Sequence, residues 1–419
     1  MRNYNATHNM CAVSSMPENN LNEVKDINYL LLASLDDIPN ITESRQPNTN
    51  EQTGDEEPTM LYRDVTRFEM PLNFERAQAQ HFAFLLGFAL GGIDGTFLGG
   101  CAEHLITPIA GDYDTNRANP SFTVKARTGN TVAYNVYAGV CVDEITATFS
   151  KDSYASINAR LKGTGCVHDA LIREERTFHG DTDIILDLSS KPILDGAIEN
   201  VHKVEVFFNN AWHDVSFSEG DPNSLNVQSI EGMQSDEDYE YRIYYLSESA
   251  ANIAGDMPAS PIFETPLFVS DFSITAGGTW DGTQFVGGHK IDADLTSLEY
   301  TIQNNLSFET GFNASGKHAN RVYREGRTQK IKVDKLTKDL LLYAWHKYNE
   351  TFGFYIAATG DTIPGTSERY KLEFIFPKVG FLSHSNRIDN KNNAENMELN
   401  VLKSSQQPSV IAKVTTLFM

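Results

Sequence analysis

Polar and apolar residues alternate along most of this chain, which is the period of a strand with one face buried. Two stretches break that rhythm with helical spacing. In the first, residues 75–90, the second half reads Phe-Ala-Phe-Leu-Leu-Gly-Phe-Ala-Leu and is apolar nearly all round. A helix buried on most sides is expected there, stopped by Gly91 and Gly92. The second stretch, residues 328–355, reads as strand, helix, strand. Residues 330–333 alternate, Asp334 or Thr337 suits a helix N-cap, and Gly353 suits the stop. At about 100° per residue, Leu336, Leu340, Leu341, Ala344, Trp345 and Tyr348 share one half of the helical wheel. Leu340, Leu341, Ala344, Trp345 and Tyr348 are therefore expected to pack this helix on a sheet. Lys338, Asp339, His346, Asn349 and Glu350 take the other side.

The strands between and around these helices divide the chain. Residues 1–60 are polar apart from an apolar island at 27–35, and read as an extended N-terminal arm. Val65, Phe68, Met70 and Leu72 alternate just before the first helix. Strands are expected at 105–109, 121–127, 132–149 and 154–161, so 61–190 forms a first β domain. Between 191 and 262, short alternating runs such as Val204, Val206 and Phe208 lie between turn residues and predict a small inserted β module, Ig-like or similar. Strands near 267–275, 298–309, 370–382, 397–402 and 410–417 give a second β domain over 263–419. Strand, helix, glycine and further strands recur in the same order in both domains. This reads as duplication of one mainly β, sandwich- or barrel-forming domain with one flanking helix per copy. The other reading is two unrelated α+β domains, which unrelated strand order would select.

Size and charge narrow the function. The 419 residues are 40% hydrophobic and 11% aromatic, enough to build cores. A mean hydropathy of -0.36 fits a soluble protein. The formal net charge of -22 argues against gripping nucleic-acid phosphates, which takes a basic stripe, and fits a surface that repels DNA. Apolar runs fall short of the roughly 20 residues that span a bilayer. Residues 1–16 lack a basic start followed by an apolar block, so neither membrane anchor nor secretory signal is expected. Cys11, Cys101, Cys141 and Cys166 are scattered singly, which predicts buried free thiols rather than a metal knuckle.

No catalytic constellation emerges, and neither enzymatic activity nor a cofactor is expected. His168, Asp169, His179 and Asp181 match no metal-ligand spacing, and Asp292 and Asp294 lack the Gly and Glu of a calcium loop. Two stretches remain as contact candidates. The glycine-rich 276–289 reads as a projecting hairpin, with Trp280 and Phe285 as an exposed contact patch or a small local cluster. Residues 311–327 form a basic loop carrying Lys317, Arg321, Arg324 and Arg327, suited to acidic surface on a neighbouring copy. An alternative function follows from the same aromatics: a carbohydrate-binding or adhesin β-sandwich with Trp280 as its platform.

Three segments carry a family resemblance. Leu298-Glu-Tyr-Thr-Ile-Gln-Asn-Asn-Leu-Ser-Phe-Glu-Thr resembles the strand-with-Asn segment of tail tube proteins from flexible-tailed bacteriophages. Leu372-Glu-Phe-Ile-Phe-Pro-Lys-Val-Gly-Phe, a strand ending in Pro before a further strand, is similar to the same family. So are the paired long strands Tyr137-Ala-Gly-Val-Cys-Val-Asp-Glu-Ile-Thr-Ala-Thr-Phe and Ala159-Arg-Leu-Lys-Gly-Thr-Gly. The likeness covers roughly 61–190 and 263–419, leaving out the N-terminal arm and the inserted module. It implies tube domains, each a β-sandwich flanked by a helix, whose inner sheets join into a continuous barrel. Members with one domain form hexameric rings, and members with a duplicated domain form trimeric, pseudo-hexameric rings. Stacked rings conduct phage DNA, which passes through the lumen without specific binding. The resemblance further implies self-assembly, contacts with other tail proteins, and residence in the virion tail after the host cytoplasm. Trp280, Phe285, Lys317, Arg321 and Arg324 become inter-ring loop candidates, and an acidic lumen wall is expected to repel phosphates.

Overall fold

A computed structural model describes residues 6–34, 36–49, 57–109, 119–129, 133–179, 184–221, 223–234, 236–311, 318–389 and 392–418. The first half opens with β1 (Met10–Val13), β2 (Tyr29–Leu31) and β3 (Asn40–Pro47). Strand β4 (Leu61–Phe74) leads into helix α1 (Ala79–Leu90). The hairpin β5 (Gly91–Phe97) and β6 (Ala102–Pro108) follows, then β7 (Phe122–Thr128), β8 (Ala133–Ser150) and β9 (Ser156–Asp169). A middle module contains β10 (Leu171–His179), β11 (Ile184–Asp187), β12 (Val201–Phe208), β13 (Ala211–Asp214), β14 (Phe217–Glu219), β15 (Ser224–Val227) and β16 (Asp238–Leu246). After the short α2 (Glu248–Ala251), the second half begins with β17 (Phe272–Ala276), β18 (Thr279–Trp280), β19 (Phe285–Val286), β20 (His289–Lys290) and β21 (Leu295–Gln303). It continues through β22 (Leu306–Glu309), β23 (Arg321–Arg324), β24 (Thr328–Leu336) and helix α3 (Leu341–Lys347). It closes with β25 (Thr351–Thr362), β26 (Arg369–Asp389), β27 (Asn392–Val401) and β28 (Ile411–Thr416). The fold is mainly β with few helices.

The two halves carry the same six antiparallel pairings. In the first half these are β1–β2, β1–β7, β3–β4, β4–β9, β7–β8 and β8–β9. In the second they are β17–β20, β17–β25, β21–β24, β24–β27, β25–β26 and β26–β27. Even the irregularities coincide. The β8–β9 ladder shifts register between Val142 and Glu144, and the β26–β27 ladder shifts between Phe381 and Ser383. This shared topology aligns the halves residue by residue: Met70 with Ile331, Leu161 with Leu399, and the bulge residue Asp143 with Leu382. The first three strands therefore belong to the first repeat. Part of the expected extended arm over 1–60 is thus built into the first repeat, with Val13 and residues 29–31 buried within the sheet. Their polar surroundings in sequence hid three short strands.

The repeats are not separate bodies. The larger sheet runs β3–β4–β9–β8–β21–β24–β27–β26, joining the halves where β8 pairs with β21. A second junction forms where β28 pairs with β6. One apolar core spans both halves. Helix α1 lies inside it with all of its residues buried, as its all-round apolar sequence requires. Phe82 packs on Phe149 of its own half and on Phe374 of the other, at ring distances of 6.4 and 6.3 Å. Gly91 ends the helix with φ of 89°, and an added Cβ there would meet Ile109 at 2.5 Å.

The second helix is shorter than its sequence pattern. Strand β24 runs to Leu336 and β25 starts at Thr351, so Gly353 lies inside a strand instead of stopping a helix. Of the five residues expected to pack it, Leu341, Ala344 and Trp345 are half-buried. Leu340 is 66% and Tyr348 70% exposed, which corrects their assignment as packing residues. The buried anchor is Leu342, with Trp345 stacked near Phe352 at 4.7 Å. Starting the helix at 341 rotates its inner face by one residue relative to the wheel.

The middle module has its own core, built by the sheets β10–β16–β12–β13 and β11–β15–β14 around Val204, Val206, Tyr241, Ile243 and Tyr245. It takes in β10 and β11, so it starts near 171, not 191. The charged alternation Leu-Ile-Arg-Glu-Glu-Arg-Thr-Phe-His of β10 masked this start.

Candidate functional site

The surface of interest is the outer face of the sheet β4–β9–β8–β21–β24–β27–β26. Alternation along each strand sends one set of side chains into the core and the other outward. Leu298, Tyr300 and Ile302 point in, while Glu299, Thr301 and Gln303 lie on the other face. Ile331 and Val333 point in, and Lys330 and Lys332 point out. The outward set forms a polar surface with a shallow depression among Glu144, Thr146, Glu299, Thr301, Lys330 and Glu398.

Charges on this face are matched across strands. Lys332 reaches Glu299 at 3.0 Å, and Lys330 reaches Glu398 at 2.8 Å. Arg160 reaches Asp143 at 2.8 Å and Glu144 at 3.2 Å, Lys162 reaches Asp143 at 2.8 Å, and Arg387 reaches Asp334 at 3.3 Å. This sheet face is thus charge-paired and not simply acidic. Its bases come from β9, β24 and β26, which place Lys and Arg within reach of carboxylates on nearby strands.

The junction between the repeats is a second built feature. Strands β8 and β21 pair over seven residues from Ser297↔Ser150 to Gln303↔Glu144. Where the ladder ends, the Asn304 amide donates to the Asp143 carbonyl at 2.8 Å, and the Leu306 amide donates to Asp143 Oδ1 at 2.9 Å. Burial alone raises the Asp143 carboxyl, but the Leu306 amide and the Lys162 and Arg160 cations outweigh it and hold it below its ordinary value. Asn304 Nδ2 also donates to the Ala89 carbonyl at 2.9 Å. The Arg327 guanidinium donates to Asn304 Oδ1 and to the Ala89 carbonyl, both at 2.8 Å, and to the Leu90 carbonyl at 3.3 Å. A helix of the first repeat is therefore capped by a cation of the second, where the helix dipole favours it. Burial, with Arg324 nearby, pulls the Arg327 guanidinium down to about 9.

The loop candidates behave differently from one another. Residues 279–286 fold back on the second repeat, which corrects the projecting hairpin. Phe285 stacks on Tyr355 at 5.2 Å, Lys413 Nζ lies 5.1 Å from the Trp280 ring, and Gln407 Nε2 donates to the Trp280 carbonyl at 3.0 Å. Trp280 and Phe285 form the local cluster. In the basic loop, Lys317 lies outside the described residues. Arg321 is exposed on β23, whereas Arg324 is buried and donates to Asn119 Oδ1 at 2.8 Å. That contact corrects Arg324 as an inter-ring residue. Sequence reasoning missed Asp143 and Asn304. Their only signal was a polar residue breaking an alternating run, Val-Asp-Glu in β8 and Asn-Asn after β21.

Among the described residues, no group of three His, Cys, Asp or Glu is placed to hold a metal. All four cysteines are free and buried, and burial beside Asp37 pushes the Cys11 thiol up to about 12. Among the described residues no helix is long and apolar enough to cross a membrane. No protein-family model matches the chain, and no curated protein matches it either.

Proposed function

We propose that this chain is a structural, non-catalytic subunit of a bacteriophage tail tube, assembling into rings that stack into a conduit for DNA. The observation that carries the reading is the duplicated set of six pairings, joined edge to edge into one wall with a polar outer face. Six such units in three chains give the trimeric, pseudo-hexameric ring that the family resemblance implies. Closing a sheet on itself removes the unpaired edges that otherwise recruit stray strands. A face whose cations already hold carboxylates offers little free positive charge to phosphates, so it supplies little of the counterion-release affinity of DNA binders. The paired face serves passage without binding as the expected acidic wall would have done, by neutralisation in place of repulsion. The alternative adhesin reading has less to rest on, since its platform residue Trp280 is half-buried with Lys413 over its ring.

Negative-stain electron microscopy of the purified chain, and of virions that contain it, tests the proposal. Stacked hollow rings are the expected result. Discrete monomers under all assembly conditions, together with a virion lacking the chain in its tail, would overturn it.

A further inference from the structure

The internal duplication identifies which edge should receive a neighbour. In the first repeat, β8 has β9 along one edge. Its other edge is taken by β7 at its start and by β21 of the second repeat over residues 144–150. In the second repeat, β26 has β27 along one edge and β25 along the other as far as Gly380. Beyond that point, among the described residues, the β25-side edge of β26 has no partner. Its residues 385–388 are exposed, and Ile388 is 79% exposed. The strand matching β21 is β3. Among the described residues it ladders with β4, and its residues 40–42 have no ladder partner on the other edge.

We infer that the free edge of β26 over residues 383–389 docks a second copy of this chain, and that β3 of that copy fills it as β21 fills β8. The assignment rests on the tube-subunit reading for the ring it completes, while its geometry comes from the internal junction alone. Carrying the β8–β21 register across the alignment sets Thr42 opposite Ser383, Ile41 opposite His384 and Asn40 opposite Ser385, antiparallel. Just ahead of β3, Ile38 comes opposite Arg387 and beside Ile388. Ile38 and Ile388 are both exposed now and would cover each other.

A second observation points to the same flank. Helix α1 is wholly buried because the second repeat covers it. Tyr343 of α3 follows the end of β24 by as many residues as Phe82 follows the matching point of β4. Yet Tyr343 is exposed, with its ring 5.5 Å from that of His384 on β26, beside the free edge. What Phe374 does for Phe82, a neighbouring copy does for Tyr343. The contact is heterologous, so each copy gives one edge and receives another, and repetition closes a ring.

Disulfide trapping decides the matter. Asn40→Cys and Ser385→Cys are made in separate preparations of the full chain, mixed and oxidised. Opposed residues of antiparallel strands stand about 4.5–5.5 Å apart at Cα, within disulfide reach. The native cysteines are buried, which keeps background low. The mixture is expected to give a covalent dimer, lost with either variant alone and lost when Asn386→Cys replaces Ser385→Cys, since residue 386 faces the other side. Thr146→Cys with Thr301→Cys, at the matching positions of the internal junction, is the oxidation control and closes within one chain. Rings seen by microscopy without the covalent dimer overturn the β26–β3 assignment and leave the tube reading standing. Monomers alone, with the control disulfide formed, overturn both.

Discussion

The alignment of the repeats exposes one position where they differ sharply in chemistry, and a quantitative test follows. Lys335, Glu395 and His384 form a buried cluster in the second repeat, with side chains 1–3% exposed. Their counterparts in the first repeat are Phe74, Ile157 and Ile145, all apolar and buried. Lys335 Nζ lies 3.8 Å from Glu395 Oε1, too far for a hydrogen bond, and His384 Nε2 lies 3.3 Å from Glu395 Oε2. At 3.8 Å the ion pair attracts by about 4 kcal/mol for an effective dielectric near 20. Desolvating the two ions costs several kcal/mol each, so the attraction does not fully offset their burial. Removing one partner keeps the cost and loses the attraction. Glu395→Ala is therefore expected to destabilise the chain by about 3–5 kcal/mol. The triple variant Lys335→Phe, Glu395→Ile and His384→Ile, which copies the first repeat, is expected to be neutral or more stable by about 1–4 kcal/mol. Urea unfolding at pH 7, followed through tryptophan fluorescence, measures both. If the triple variant loses as much stability as Glu395→Ala, the residue-by-residue equivalence is wrong.

Three further outcomes are expected. Leu342→Asp buries a carboxylate under the sheet and should cost about 3 kcal/mol or more, whereas Leu340→Asp on the exposed side should stay within about 0.5 kcal/mol; thermal melts separate them. Asp143→Asn removes a carboxylate whose folded pKa is lowered. Wild-type stability from this group is present above the ordinary Asp value and lost as pH falls through the folded one. The gap between wild type and variant should thus be widest at neutral pH and narrow below about pH 4, and a uniform gap in pH-dependent urea titrations would contradict a stabilising role for the ionised Asp143 carboxylate. Arg327→Ala leaves the Ala89 and Leu90 carbonyls short of a charged donor and should cost about 1.5–3 kcal/mol, with amide exchange at the end of α1 accelerating selectively.

Much of this architecture was readable from alternation and composition. The all-apolar run at 82–90 announced a helix surrounded by protein, because only such a helix omits a polar face. Alternation in β4, β21 and β24 announced half-buried strands. What escaped reading depended on partners distant in sequence. Strands β1 to β3 are short and set in polar sequence, so only their pairing to β4 and β7 makes them strands. Leu340 and Tyr348 looked like core residues because the wheel assumes a helix longer than β24 and β25 leave room for. Asp143 and Asn304 are ordinary polar residues until two repeats meet at them.

The position of α1 has a consequence for synthesis. Phe82 leaves the ribosome long before Phe374, and β6 long before its partner β28. The first half of the chain must therefore wait with the β26- and β28-facing side of its most apolar helix uncovered until nearly all of the second half has been made. A truncated chain would keep that helix exposed, open to proteases and holdases. Only a nearly full-length chain covers it on every side, so burial of this helix reports that the second half has been made.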